Sequence, residues 1–172
     1  SAHLASALDD RFHLIERMYG VEGARLAAES HQAAIADIFA IAQREHIACD
    51  AVHVDGYLFA AKGDGRERFE LDLEHDAARR AGLSVELVER APLPFATGRA
   101  LRFRDQAQFE PMAYLLGLAE AVRRDGGVIA TGVRVEHIEE SGPAVVHSHG
   151  QGSVTARQVV VATNTPINDL FA

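Results

Sequence analysis

The last third of the chain most constrains the fold, because a helix is followed there by closely spaced apolar segments. Pro111 suits the first turn of a helix, where the N–H that proline lacks would have no intrahelical partner. Residues 157–162 include four apolar residues in succession, which is typical of a strand buried in a parallel sheet. Residues 128–130 and 133–138 are predicted strands, and residues 144–147 begin a predicted hairpin. This pattern requires helices and strands to share a core.

The first two thirds also alternate helices with strands. Gly20 and Gly82 are predicted to end helices, since glycine adopts the left-handed conformation that closes them. Asp9 and Asp10 are expected to cap the first helix, and Glu74 is expected to be exposed. The predicted helices cover residues 11–19, 21–46 and 67–81, and the predicted strands cover 51–60, 83–88, 100–103 and 106–109, with a turn near 104–105. The predicted class is α/β, mixed α+β, with some antiparallel pairs.

Composition excludes several classes of function. The chain has 172 residues, which suits one domain, and its net charge of −8 lacks the basic face that nucleic acid requires. No apolar run is long enough to span a bilayer, so a cytoplasmic protein that binds neither membrane nor nucleic acid is favoured. The single cysteine, Cys49, cannot form an internal disulfide and is predicted to be a small core residue.

Motifs for phosphate or metal binding are weak. Gly63, Asp64 and Gly65 form a predicted turn, because the third glycine of a dinucleotide-binding loop is missing. His147 and His149 would share one face of a strand and could chelate a metal, but no third ligand follows at a suitable spacing. We therefore interpret them as surface histidines and predict no metal ligands.

Two C-terminal segments resemble a class of flavoenzymes. Residues 126–138 follow the form G-x-x-I-x-T-x-T-x-V, and residues 156–164 follow the form A-x-x-V-V-x-A-T-G. Both resemble the D-amino-acid oxidase, glycine oxidase and sarcosine oxidase class of FAD-dependent oxidoreductases. Val133, preceded by Gly132, stands in place of the second threonine, and Asn164 stands in place of the final glycine. Asparagine tolerates a positive φ better than most residues, so the turn is retained.

Further segments extend the resemblance over nearly the whole chain. Residues 2–12 resemble the stretch that follows the flavin-contacting turn of the class. Residues 55–59 resemble the first strand of its substrate sheet, and residues 106–111 the entry to the helix that returns to the FAD domain. Residues 163–169 are closest to a bacterial subgroup, some of whose members carry a C-terminal Rieske [2Fe–2S] domain.

The resemblance implies roles for individual residues. The main chain of Val135 would meet the adenine of FAD, and Tyr57 and Phe109 would line the substrate wall. The cofactor-binding residues that it implies are His3, Val135, Ala162, Thr163 and Asn164. It also implies a substrate-domain-like mixed sheet at about residues 50–110 and a few FAD-domain-like strands at about 111–172, within a single-domain internal fragment of a longer enzyme.

The implied reaction moves a hydride from a C–H beside the nitrogen of an amine or amino acid to FAD. The fragment alone is expected to be inactive, because the Gly-rich phosphate loop is missing. A non-catalytic α/β binding or scaffold domain is the alternative, and a metal hydrolase built on His147 and His149 is a third interpretation. The apolar faces of the predicted strands are expected to be capped locally or to pair with a second chain in a homodimer.

Overall fold

The computed structural model describes residues 2–59, 66–139, 142–150 and 152–164, with the backbone alone for residues 66–69. The chain divides into two compact units, Ser1–Asp125 and Gly126–Ala172. The boundary follows the third helix, whereas the sequence predicts one domain with two portions that divide near residue 110. Each unit has its own antiparallel sheet, and the mixture of helices and strands confirms the predicted class.

The first unit combines a four-stranded sheet with three helices. Its elements are β1 (Ala2–Leu4), α1 (Phe12–Arg44), β2 (Val52–Phe59), α2 (Arg66–Arg80), β3 (Val85–Val88), β4 (Ala100–Phe109) and α3 (Pro111–Arg124). β4 is the central strand, with β2 paired along one edge. The other edge is shared by β3, beside the beginning of β4, and β1, beside its end.

β4 is one continuous strand, so the prediction of two short strands joined by a turn is wrong. Asp105 has a positive φ of 58°, which marks an irregularity where the turn is predicted. The chain does not reverse there, because β2 pairs on both sides and takes up the irregularity as a register shift between Val54 and Gly56. The buried side chain of Gln106 lies next to this irregularity and ties β4 to the segment after β1. Its Oε1 accepts a hydrogen bond from the backbone N–H of Ser6 at 2.6 Å.

α1 comprises two helices that meet in a kink at Gly20, the predicted helix end. This residue has a φ of 75° and a ψ of 172°, which is not a helical conformation, so the predicted interruption at Gly20 is confirmed. Gly82 follows α2 with a φ of 91°, and the N–H of Leu83 donates to the carbonyl of Ala78 at 3.0 Å. This hydrogen bond and the positive φ of Gly82 form the predicted glycine cap. Pro111 occupies the first turn of α3, also as predicted.

Glu74 of α2 is buried and caps α1, so the expectation that it is exposed is wrong. Its carboxylate accepts from the backbone N–H groups of Phe12 at 2.9 Å and His13 at 3.1 Å. Asp9 and Asp10 are exposed and lie ahead of the residue at which the helix is capped, so they are not its caps. The expectation fails because the acceptor comes from another helix rather than from the adjacent sequence.

Two clusters of buried side chains hold the first unit together. The first joins the beginning of α1 to α2 and the sheet, and its buried members are Phe12, Ala24, Ala28, Leu71, Ala77, Ala78, Ala81, Leu83, Val85, Leu101 and Phe103. The second joins the end of α1 to β4 and α3, and its buried members are Ala42, Cys49, Phe109 and Tyr114. Cys49 is thus a core residue, as predicted.

The second unit contains a three-stranded antiparallel sheet of β5 (Val135–Glu139), β6 (Ala144–Ser148) and β7 (Gly152–Ala156). The predicted hairpin is confirmed by the pairing of β6 with β7. The predicted strands at 128–130 and 157–162 are wrong, because both segments have irregular backbone. Val160 is 89% exposed. A buried parallel strand requires neighbours on its edges, and the described strands of this unit pair only with one another.

Candidate functional site

One face of the four-stranded sheet carries polar and aromatic side chains. Leu101 and Phe103 of β4 belong to the first core cluster, so Arg102 between them points to the opposite face. Tyr57 of β2 and Glu86 of β3 each lie opposite Arg102 in the strand register and share its face. We call the face that bears Tyr57, Glu86 and Arg102 the outer face.

Arg102 is held on the outer face by two carboxylates. Its Nε donates to Oδ2 of Asp55 at 2.7 Å, and its Nη1 lies 3.8 Å from Oε2 of Glu86. The hydrogen bond to Asp55 raises the pKa of Arg102 above its usual value. Because the guanidinium is about one third exposed and fixed in orientation, it can present remaining N–H groups to a carboxylate ligand.

The two predicted wall residues lie in different surroundings. Tyr57 is half-buried on the outer face. Phe109 is 9% exposed in the second core cluster, and its ring meets the ring of Tyr114 edge-on at 5.6 Å. Burial raises the pKa of Tyr114. Tyr57 is therefore placed to contact a ligand on this face, whereas Phe109 packs within the chain, and the wall role of both stays a prediction.

The residues predicted to bind FAD are divided between the two units. His3 is exposed on β1, opposite Gln108 of β4. Val135 is half-buried in β5 and pairs with Ser148. Ala162, Thr163 and Asn164 are exposed and lie in irregular backbone. Their roles toward FAD stay predictions, and the turn at residues 63–65 and the segment beyond residue 164 lie outside the described residues.

A group of side chains on β5 and β6 includes His147, one of the two histidines considered from the sequence, but not His149. His137, Glu139 and His147 bring one nitrogen or oxygen atom each to within 4.8 Å of one another. His149 instead contacts Glu136 at 2.5 Å, so it does not join His147, and the contact lowers the pKa of Glu136. The missed signal is the pairing of two strands, which places His137 opposite His147.

A shallow cleft of about 410 Å³ lies between α3 and the segment that follows α1. Gly117 lets the backbone of α3 approach this segment, because a Cβ there would lie 2.6 Å from side-chain carbons of Ile47. Arg124 bridges the two sides through a hydrogen bond to Glu45 at 2.7 Å, which lowers the pKa of Glu45. These contacts give the cleft a structural role in docking α3.

Comparison with known proteins identifies the family. A sequence model of the FAD-dependent oxidoreductase family, DAO, matches residues 3–171. The chain belongs to this family. The fold agrees, since it matches the crystal structure of glycine oxidase from Geobacillus kaustophilus with a TM-score of 0.72 at 20% identity, over 95% of this chain and 44% of that one. The resemblance inferred from the sequence motifs is confirmed.

Two curated relatives each share 28% identity with this chain. One is named "Putative Rieske 2Fe-2S iron-sulfur protein YhfW", from Bacillus subtilis (strain 168), and aligns over 89% of this chain and 30% of its own length. The other is the gamma-glutamylputrescine oxidoreductase of Escherichia coli (strain K12), which aligns over 91% of this chain and 37% of its own length. This family member therefore spans about a third of the length of these relatives. None of its described helices is long and apolar enough to cross a membrane.

Proposed function

We propose that this chain is the substrate-side part of a longer FAD-dependent oxidoreductase that oxidises an amine or amino acid. The observation that carries the proposal is the family match over residues 3–171, which includes the four-stranded sheet and its outer face. The named activity of one relative, gamma-glutamylputrescine oxidoreductase, supports an amine as the substrate class. When bound, FAD would accept a hydride from the carbon beside the substrate nitrogen.

The outer face would contribute recognition rather than bond breaking. Tyr57 offers an aromatic surface, and Arg102 offers a charge that Asp55 and Glu86 hold in place. A substrate carboxylate would compete with these two acidic groups for the guanidinium, whereas a substrate ammonium would be attracted to Asp55 and Glu86. The same face thus suits a zwitterionic or cationic amine, in line with the proposed substrate class.

The chain fits only part of an FAD molecule. The family resemblance implies that Val135 and residues 162–164 lie near the cofactor, and Asn164 adds a polar side chain. The sequence contains no G-x-G-x-x-G run, which marks the usual loop for the pyrophosphate between a strand and a helix N-terminus. We propose that the rest of the longer protein holds the pyrophosphate and that this chain alone does not turn over substrate.

FAD titration of this chain beside the longer protein tests the proposal. We expect flavin absorbance in the longer protein and its bleaching by amines or amino acids under anaerobic conditions. The chain alone should show neither signal. A longer protein that purifies without flavin and binds none on titration would contradict the proposal and favour the scaffold alternative. Iron and acid-labile sulfide analysis of the same sample would test for the [2Fe–2S] domain that the relative from Bacillus subtilis suggests.

Substitution of Arg102 tests the role of the outer face in the longer protein. Arg102→Lys keeps the charge but loses the planar group that two carboxylates hold, so we expect a higher KM with flavin absorbance unchanged. Arg104→Lys is the matched control, because Arg104 also pairs with Glu86 but is nearly half exposed. Equal KM values for both variants and the unmodified protein would rule out recognition by Arg102.

A further inference from the structure

The second unit brings two histidines and a glutamate to one face of its sheet. His137 and Glu139 are two residues apart on β5, so their side chains point the same way. His147 of β6 lies directly opposite His137 in the strand register. The arrangement depends on a register shift between Val135 and His137, because a slip of one residue would turn side chains to the other face.

The distances between these groups match those of a metal coordination shell. Nε2 of His147 lies 3.3 Å from Oε1 of Glu139, and Nε2 of His137 lies 3.5 Å from the same oxygen. Ligands about 2.0–2.1 Å from a tetrahedral zinc ion are roughly 3.3–3.4 Å apart. The two imidazole rings are stacked with centroids 4.2 Å apart and planes at 10°. To aim both nitrogens at one ion, the rings must tilt apart, and rotation about the bond to an imidazole ring is soft.

The Nε2 atom of His147 provides a second, independent observation. It is shielded from solvent and has no hydrogen-bond partner among the described residues, although the carboxylate of Glu139 lies nearby. A buried polar atom without a partner is uncommon in folded proteins, and an unseen ion or water is a common explanation. The atom faces the same oxygen that His137 approaches, so an ion placed between the three groups would satisfy it.

We propose that His137, Glu139 and His147 form a binding site for one divalent transition-metal ion. Imidazole nitrogens with one carboxylate suit Zn²⁺, Ni²⁺ or Cu²⁺, whereas Mg²⁺ and Ca²⁺ prefer oxygen ligands alone. Three protein ligands leave a fourth position for water. The ion would link β5 to β6 and so stabilise the sheet of the second unit, because metal that binds only the folded form favours folding.

Isothermal titration of the 172-residue chain with Zn²⁺ tests the site, with Mg²⁺ as the negative control. We expect one equivalent of Zn²⁺ to bind and to raise the thermal midpoint. Loss of even an outer-shell partner weakens metal sites by about 10–100-fold, so His137→Gln, Glu139→Gln and His147→Gln should each weaken binding at least that much. His149→Gln is the matched control, since His149 is on the same hairpin but contacts Glu136.

Circular dichroism without metal would show whether each variant keeps the fold of the unmodified chain. If a variant unfolds, Co²⁺ titration of the unmodified chain is the alternative measurement. The visible absorbance of bound Co²⁺ reports nitrogen and oxygen ligands in tetrahedral geometry. The proposal is overturned if the unmodified chain binds no stoichiometric Zn²⁺. It is also overturned if His149→Gln weakens binding as much as His147→Gln does.

Discussion

Glu74 shows how one residue can connect two helices. Its two carboxylate oxygens accept hydrogen bonds from the first backbone N–H groups of α1, which would otherwise be buried without partners. A negative charge at the beginning of a helix also interacts favourably with the helix dipole. The side chain of His13 adds a further contact at 2.9 Å. α1 therefore depends on α2 for its cap rather than on its own sequence.

Replacement of Glu74 should destabilise the first unit. We expect Glu74→Ala to lower the free energy of unfolding by about 2–3 kcal/mol, because bonds to a charged acceptor are lost and two N–H groups are left unpaired. Glu74→Gln keeps one acceptor oxygen and should lose less. Urea unfolding measures both values, and Glu70→Ala, at an exposed position of α2, is the control with a change within about 0.5 kcal/mol. Equal stability of the Glu74→Ala and Glu70→Ala variants would refute this role.

At the level of elements, local signals were sufficient where the partners are close in sequence. Gly82, Pro111 and the β6–β7 hairpin were predictable because helix ends and tight turns depend on a few adjacent residues. The cap of α1 was not, since its donor and acceptor are 62 residues apart. The continuity of β4 across Asp105 was not predictable either, because it depends on pairing with β2.

The candidate functional groups also differ in whether adjacent residues or distant strands determine their surroundings. Family motifs predicted a substrate-side sheet at about residues 50–110, which stays a prediction, but the environment of Arg102 depends on Asp55 and Glu86, which come from two other strands. The cluster of His137, Glu139 and His147 required the β5–β6 register, which a single sequence does not reveal. The apolar run at 157–162 misled the prediction, because hydrophobicity alone does not provide a partner strand.

The kink in α1 gives a prediction at this scale. Gly20 has a φ of 75° and a ψ of 172°, a region that is essentially accessible to glycine alone. Gly20→Ala should therefore lower the free energy of unfolding by about 1–3 kcal/mol through backbone strain. No atom beyond the adjacent residues and the local helix backbone lies within 4 Å of the added Cβ, so a clash with packed neighbours is not the cause. Ser30→Ala, at an exposed position of α1, is the control and should be neutral or slightly stabilising in thermal unfolding. A Gly20→Ala variant as stable as the control would contradict the assigned backbone conformation.

Among the described residues, several large apolar side chains are exposed on α3. Met112, Leu115 and Leu116 are spaced along one side of α3, and each is more than half exposed. Contiguous apolar surface of this kind marks a contact surface. Because the chain spans about a third of the length of its curated relatives, we expect this side of α3, here called the α3 stripe, to be covered in the longer protein.

In isolation the chain should instead self-associate through the α3 stripe. We expect the weight-average mass in sedimentation velocity to rise with protein concentration, and the double variant Leu115→Glu/Leu116→Glu to remain monomeric because buried carboxylates oppose association. Leu26→Glu, at an exposed apolar position of α1, is the control and should associate like the unmodified chain. Val160→Glu tests the competing arrangement, in which a homodimer forms through exposed segments of the second unit. If Val160→Glu abolishes association and the double variant does not, the contact lies in the second unit. An unmodified chain that stays monomeric at all concentrations would contradict both arrangements.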